Sequence, residues 1–368
     1  MSLPTLSHAE TSPAETTAVP EPLPLPRGLT FTPDDWQILA RYWYPVARSV
    51  EVTGGPLGAT LLDVPLVVYR VGGEGSGEVV VADDICPHRG TKLSLGEDQG
   101  DGEGIRCPYH GLRFGSGGKC NAIPAHPGDK IPARMHLRSY AAVERYGLVW
   151  TCLAAAPGDE PAIPPVPHWD EPGFQQINCP WIDIEAFAGR QIEGFLDVGH
   201  FAFVHHETFA DPENQVVPEY TPVPTADGFE SEYWSTVSNL PPGTDLEVSD
   251  DFLWLRHYRL HVPFTGTLVV FFPEGIRLSL MNAASPVSAT RTRLFDARCR
   301  NFDLDQPLSE VYDFNLQVFN EDRRIVEQQK PENLPLDPKL EVHIPADRSS
   351  IAYRRALRAA GLSEFFTA

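Results

Sequence analysis

The sequence predicts an α+β protein of two domains: a small all-β domain, then a larger one in which an antiparallel sheet is flanked by helices. Three observations carry this. Short β-rich runs broken by Pro, Gly and Asp occupy the chain from about Ala40 to Leu153. A stretch dense in proline, with Pro161, Pro164, Pro165 and Pro167, then excludes long regular structure. Beyond it, several long strand-like runs lie between two helix-prone segments. A chain of 368 residues is long enough for two such cores.

In chain order, Met1 to Arg27 is rich in Pro, Ser, Thr and Glu, and residues 1–31 read as a flexible arm. Thr32-Pro33-Asp34-Asp35 opens a short helix, with Thr32 as cap and Pro33 at its first position. Trp36, Leu39, Trp43 and Tyr44 follow at roughly helical spacing and read as core packing. The runs Leu61-Leu62, Val67-Val68-Tyr69, Val79-Val80-Val81 and Ala141 to Leu153 supply strands, so residues 32–153 form the first domain. Residues 154–180 connect it to the second, 181–368. There the segment Ile182 to His206 is helix-prone. Strands follow over Phe229–Ser238, Phe252–Val262, Thr267–Phe272, Ile276–Ala283 and Thr290–Arg298, with one face of the sheet buried. Leu308 to Lys330 closes as a helix with Val311, Phe314, Val318 and Ile325 along one side.

The first domain is organised around Ile85 to Phe114. Cys86 and His88 form a Cys-x-His pair, Cys107 and His110 a Cys-x-x-His pair, with eighteen residues between His88 and Cys107. Two thiolates and two imidazoles on two short loops suit a two-iron, two-sulfur cluster, with the cysteines on one iron and the histidines on the other. Neutral imidazoles lower the negative charge and raise the potential, which is the chemistry of a Rieske centre. Zinc also accepts two Cys and two His, but it usually pairs like with like. Each cysteine precedes Pro, and Gly90 and Gly111 follow the histidines, so both loops can turn tightly.

Composition bounds the partners. Lys plus Arg number 29 against 50 Asp plus Glu, a formal charge of -21, which disfavours nucleic acid and anionic membrane surfaces. Cys120, Cys152, Cys179 and Cys299 are scattered and read as inert buried thiols. With no signal-peptide pattern and no apolar run of membrane-spanning length, a cytoplasmic location is expected.

A second metal site is suggested by Asp197-x-x-His200-x-x-x-x-His205. Asp197 and His200 share a helix face, whereas His200 and His205 do not, so the helix must break or bulge for both to reach one ion. Two histidines and a carboxylate form the facial triad of a mononuclear Fe(II) with open positions for O2. The carboxylate is Asp197 or comes from the late helix, where Asp322 has Glu321 and Glu327 as rivals; His206 rivals His205.

Taken together and in this order, these motifs resemble the terminal oxygenase component of the Rieske non-haem iron oxygenases, over most of the chain beyond Thr32. The single-chain layout resembles the aromatic O-demethylase and phthalate-type branch, as do Ala346-Asp-Arg348 and Tyr353-Arg-Arg355. The resemblance implies a Rieske domain joined to a helix-grip catalytic domain in a three-fold trimer. It implies Cys86, His88, Cys107 and His110 as cluster ligands, His200, His205 and Asp322 as iron ligands, and Asp197 as the electron bridge between centres. Two departures stand out: Leu112 where the family often has Trp, and Gly194, beside Glu193, where it often has Asn. The implied activity uses O2 and electrons from NAD(P)H, delivered by a flavin-containing reductase with or without a ferredoxin. It hydroxylates or demethylates a small, aromatic substrate. Ring cis-dihydroxylation is the alternative. A non-catalytic Rieske electron carrier is a different class, but a carrier needs neither the Asp-His-His segment nor a second domain.

Overall fold

A computed structural model describes residues 22–72, 77–156, 158–236, 248–249 and 251–363. Residues 1–21 of the expected arm lie outside the described residues. From there the chain is fixed rather than loose. Leu23 N donates to Gln37 Oε1 at 2.9 Å, Thr30 N donates to Asp63 Oδ2 at 2.8 Å, and Phe31 is fully buried.

Helix α1 (Pro33–Leu39) starts where its cap predicts: Thr32 is extended and its hydroxyl accepts from Asp35 N. Trp36 and Leu39 are buried, while Tyr44 lies past the helix and opens a strand. The N-terminal strands are β1 (Tyr44–Arg48), β2 (Leu57–Leu61), β3 (Val64–Val71), β4 (Glu78–Asp83), β5 (Glu97–Asp98), β6 (Ile105–Arg106), β7 (Arg113–Phe114), β8 (Cys120–Ala122), β9 (Ser139–Arg145) and β10 (Leu148–Cys152). They form a six-stranded sheet, β1-β10-β9-β4-β3-β2, and a small four-stranded one, β5-β6-β7-β8, that carries the second cluster loop.

The second half contributes β11 (Gln175–Asn178), β12 (Ile182–Ile184), α2 (Ala188–Leu196), α3 (Phe201–Val204), β13 (Val223–Thr225), β14 (Gly228–Ser235), β15 (Trp254–His261), β16 (Thr265–Phe271), β17 (Arg277–Ser288), β18 (Arg291–Arg300), α4 (Leu308–Val326) and α5 (Arg348–Ala359). Its antiparallel sheet runs β11-β18-β17-β16-β15-β14-β13, with β12 also paired to β18.

Three expectations change. The segment Ile182–His206 is not one helix: it begins as β12 and breaks at Asp197, whose backbone is extended (φ -75°, ψ 137°). The sheet is not buried on one face throughout. β14 and β15 largely alternate in burial, but β16 to β18 are almost wholly buried. Trp150, Tyr146 and Trp169 pack with Met281 and Phe295 on one side, so the first half of the chain and the Pro-rich connection cover the sheet's second face. In α4 the apolar stripe ends differently. Ile325 is 52% exposed, and Phe319 and Val326 are buried instead. No helix among the described residues is long and apolar enough to cross a membrane.

Candidate metal centres

The two cluster loops are built alike. Cys86 N donates to Thr91 O and Gly90 N to Cys86 O; Cys107 N donates to Leu112 O and Gly111 N to Cys107 O. Each closing glycine takes a left-handed φ, 74° at Gly90 and 71° at Gly111, which a side chain would resist. Both thiols are buried, and burial pushes that of Cys86 up to about 11, against the pull of the His88 and Arg89 N–H groups. A bare Cys86 thiolate is therefore costly here, and iron in place of its proton offsets that cost. His88 and His110 are exposed on the same side, with ring centroids 4.5 Å apart. The donor set and its arrangement thus fit a Cys2His2 cluster. Leu112, in place of Trp, is buried with Leu93, Ile105 and Phe114.

The second site depends on the break after α2. At Asp197 the chain turns out of the helix, Asp197 Oδ1 accepts from Gly199 N at 2.8 Å, and α3 then starts in a new direction. His200 and His205 stand at the two ends of α3, and their rings meet beyond the break. Their Nε2 atoms lie 3.1 Å apart, and Asp322 Oδ1, from α4, lies 3.5 Å from His200 Nε2 and 3.1 Å from His205 Nε2. Bonds of roughly 2.1 Å meeting at right angles put donors about 3 Å apart, so these spacings suit one face of an octahedral ion. Among the described residues this is the one group of three such side chains whose donor atoms gather within 4.8 Å.

Behind each histidine stands a carboxylate. His200 Nδ1 donates to Asp197 Oδ2 at 3.2 Å, and His205 Nδ1 donates to Glu321 Oε2 at 2.8 Å. These bonds keep the proton on Nδ1 and aim the Nε2 lone pairs at the ion position. Thr208 Oγ1 also donates to Glu321 Oε2 at 2.8 Å. Without a metal the site is strongly polarised. Burial works against charge on His200, but hydrogen bonds to Asp197 and Asp322 prevail and raise it to about 9. Burial likewise opposes charge on Asp322, yet its bonds to His200 and His205 hold it at about 2.

The rivals fall elsewhere. Glu321 is turned to the far nitrogen of His205, Glu327 accepts from Glu185 N at 3.0 Å, and His206 is exposed with Nδ1 against Phe203 O. His200, His205 and Asp322 sit in the wall of a cavity of about 130 Å³ that is otherwise mostly apolar, with Phe195, Phe209, Leu268, Leu280, Phe314 and Val318 among its lining. Gly194 separates this cavity from a surface depression holding Asp197, Lys330, Val342 and His343. Glu193, the other half of that departure, is buried in an ion network: Arg354 donates to it at 2.7 and 3.0 Å and Arg190 at 3.3 Å, while Glu341 pairs with both arginines. Neither the carboxylate behind His205 nor this network is foreseen by spacing, because the bonds His205–Glu321, Glu193–Arg354 and Arg190–Glu341 join residues more than 100 positions apart.

Comparison with known proteins places this geometry. Residues 42–141 match the Rieske [2Fe-2S] domain family, and residues 184–362 the vanillate O-demethylase oxygenase C-terminal domain family. The chain is 31% identical over 332 residues to methylxanthine N1-demethylase NdmA of Pseudomonas putida, covering 88% of this chain and 90% of that protein. The chain belongs to the Rieske non-haem iron oxygenases. The solved structure of NdmA with caffeine aligns with a TM-score of 0.73, at 30% identity over 88% of this oxygenase and 92% of that chain. Dicamba monooxygenase bound to dicamba, at 24% identity and a TM-score of 0.70 over 88% of this chain and 97% of that one, shares the fold. The oxygenase accordingly carries a Rieske [2Fe-2S] cluster and a mononuclear iron, and works on a small molecule with electrons from a reductase or ferredoxin partner.

Proposed function

We propose that this oxygenase removes an O- or N-methyl group from a small aromatic or heteroaromatic compound. His200, His205 and Asp322 are assigned as the ligands of Fe(II), and Cys86, His88, Cys107 and His110 as those of the cluster. The observation that carries the reading is the convergence of two Nε2 atoms and one carboxylate oxygen on the wall of an apolar, ring-sized cavity. When bound, the cluster supplies electrons singly and the ferrous ion supplies O2 activation. The chain's own residues do the rest. Asp197 and Glu321 hold the ligand histidines in one tautomer, Asp322 contributes the negative charge, and the phenylalanine-lined cavity excludes water. Hydroxylation of the methyl carbon gives a hemiacetal or hemiaminal that sheds formaldehyde.

The same reading includes a cytoplasmic homotrimer. Asp197 opens onto a depression edged by Val342, 96% exposed, with the exposed Ile344 two residues on in the chain; His110 stands on a tip with Tyr109, 63% exposed, and Ile85. Each is a polar centre inside exposed apolar residues, as expected of surfaces that cover one another between subunits. Asp197 then accepts a hydrogen bond from His110 of the neighbouring subunit and links that cluster to this iron. The deciding experiment is to follow formaldehyde release and NADH use by the reconstituted system on methoxylated and N-methylated aromatics. A cis-diol with no formaldehyde replaces demethylation with ring dihydroxylation.

A further inference from the structure

The cavity has one polar end besides the triad. Arg298, on β18, is buried and lines it, together with Asp296 and Asn315. The guanidinium grips Asp296 with two bonds, Nε at 2.8 Å and Nη2 at 2.6 Å, and Nη2 also donates to Asn315 Oδ1. This leaves Arg298 Nη1 and Asn315 Nδ2 without partners among the described residues, and both side chains face the cavity. Asn315 and Asp322 are seven residues apart on one face of α4. Two turns of helix separate them by about 10 Å along the axis.

We propose that Arg298 and Asn315 form a donor pair that selects a neutral carbonyl-bearing substrate and that Asp296 is the element that rejects carboxylates. The inference rests on the demethylase reading and narrows it. Two N–H donors side by side ask for an acceptor oxygen. A free arginine would favour a carboxylate, with which it forms bidentate pairs. Here that fork is already filled by Asp296, so an incoming carboxylate meets a nearly neutral ion pair rather than a free cation. It must shed its water in an apolar cavity for little return. A ketone, amide or imide oxygen carries a far smaller desolvation cost and satisfies both donors. Size agrees: an apolar cavity of about 150 Å³ admits benzene, close to the volume of about 130 Å³ here. The substrate class is thus a compact ring with a carbonyl at one side and the methyl group across from it, near the triad.

The test compares the three isomeric methoxybenzamides with the three methoxybenzoates on the iron-loaded holoenzyme. Binding is measured by calorimetry, and formaldehyde release is measured separately. The best amide should bind at least tenfold more tightly than its benzoate. Asp296→Asn should shift that preference at least tenfold toward the benzoate, and Asn315→Leu should weaken amide binding. Equal or tighter binding of the benzoates to the wild type, or binding of neither series, overturns the inference, and these ligand comparisons need no variant to fold. Preferential amide binding without formaldehyde supports the donor pair while counting against demethylation, so the two readings fail separately.

Discussion

At the cluster loops both histidines stand in solvent, and each turn is closed by backbone bonds within six residues. At the triad His205 is nearly inaccessible, and its partners Glu321 and Asp322 come from a helix more than a hundred positions away. The first arrangement is local and faces outward, as suits a centre that must exchange electrons with other molecules. The second is assembled by the tertiary fold and faces an apolar cavity, as suits a centre that must control water. A local site is insensitive to the rest of the fold. An assembled site inherits its geometry from the packing of α2, α3 and α4.

The largest effect should separate the two completely. Cys107→Ser is expected to abolish the visible iron–sulfur absorption and acid-labile sulfide while leaving the triad able to take up one iron. Asp322→Ala and His205→Ala should do the reverse, losing the mononuclear iron and all oxygenase turnover with the cluster spectrum intact. Iron and sulfide analysis of the purified variants reads both. Loss of the cluster from Asp322→Ala would mean the two regions are not independent.

In the proposed trimer Asp197 would join the two halves of the comparison. Its replacement by Ala should leave both metals in place yet slow oxidation of the reduced cluster by O2 and substrate, on the order of 100-fold. It should also weaken the proposed trimer in sedimentation. A wild-type rate would reduce Asp197 to a support for His200. Glu321 should show the purely local version. Glu321→Gln keeps the shape but gives up the charge behind His205, so iron affinity should fall by about 10- to 100-fold with electron transfer per bound iron unchanged. If cluster oxidation slows as well, Glu321 belongs to the electron path.

The same contrast explains what the sequence reveals. The cluster loops are legible because ligand, proline and glycine follow one another in a few positions, and the turn chemistry has few solutions. The spacing of five between His200 and His205 signals an irregular helix here, but the break itself falls earlier, at Asp197, and the two histidines stand at the ends of α3. Choosing Asp322 over Glu321 is not legible from spacing. Adjacent helix residues point about 100° apart, and only the packed position of α4 decides which faces the cavity. Helix α5 is missed because RSSIAYRRALRA reads as mostly polar, although Tyr353 and Leu357 are fully buried and Arg354 is held by Glu193 and Glu341. Strand β12 is hidden inside a helix-prone run, since its pairing with β18 joins positions over a hundred apart.

The smallest effect is a pH dependence that belongs to the buried site. As a proposed Fe(II) ligand His200 must be a neutral imidazole, so a proton on that ring competes with the metal. In the metal-free protein His200 is raised to about 9, because Asp197 and Asp322 outweigh the cost of burying the charge. Asp322, held at about 2, and Asp197, also lowered, stay ionised throughout the neutral range. Uptake of Fe(II) at neutral pH therefore releases a proton, and apparent affinity should climb by roughly tenfold per pH unit from 7 toward 9, then level off. The folded value lies above the ordinary histidine value of 6.5, so this proton stabilises metal-free protein fully below that pH, and the contribution is lost as pH rises through 9. Metal-free enzyme should accordingly lose stability over the window in which it gains affinity for iron. In Asp197→Asn the rise should flatten and move toward the ordinary histidine range, because the first carboxylate holding that proton is gone. Titration of anaerobic metal-free protein with Fe(II) at stepped pH checks it. An affinity constant between pH 7 and 9 would place the proton somewhere other than His200.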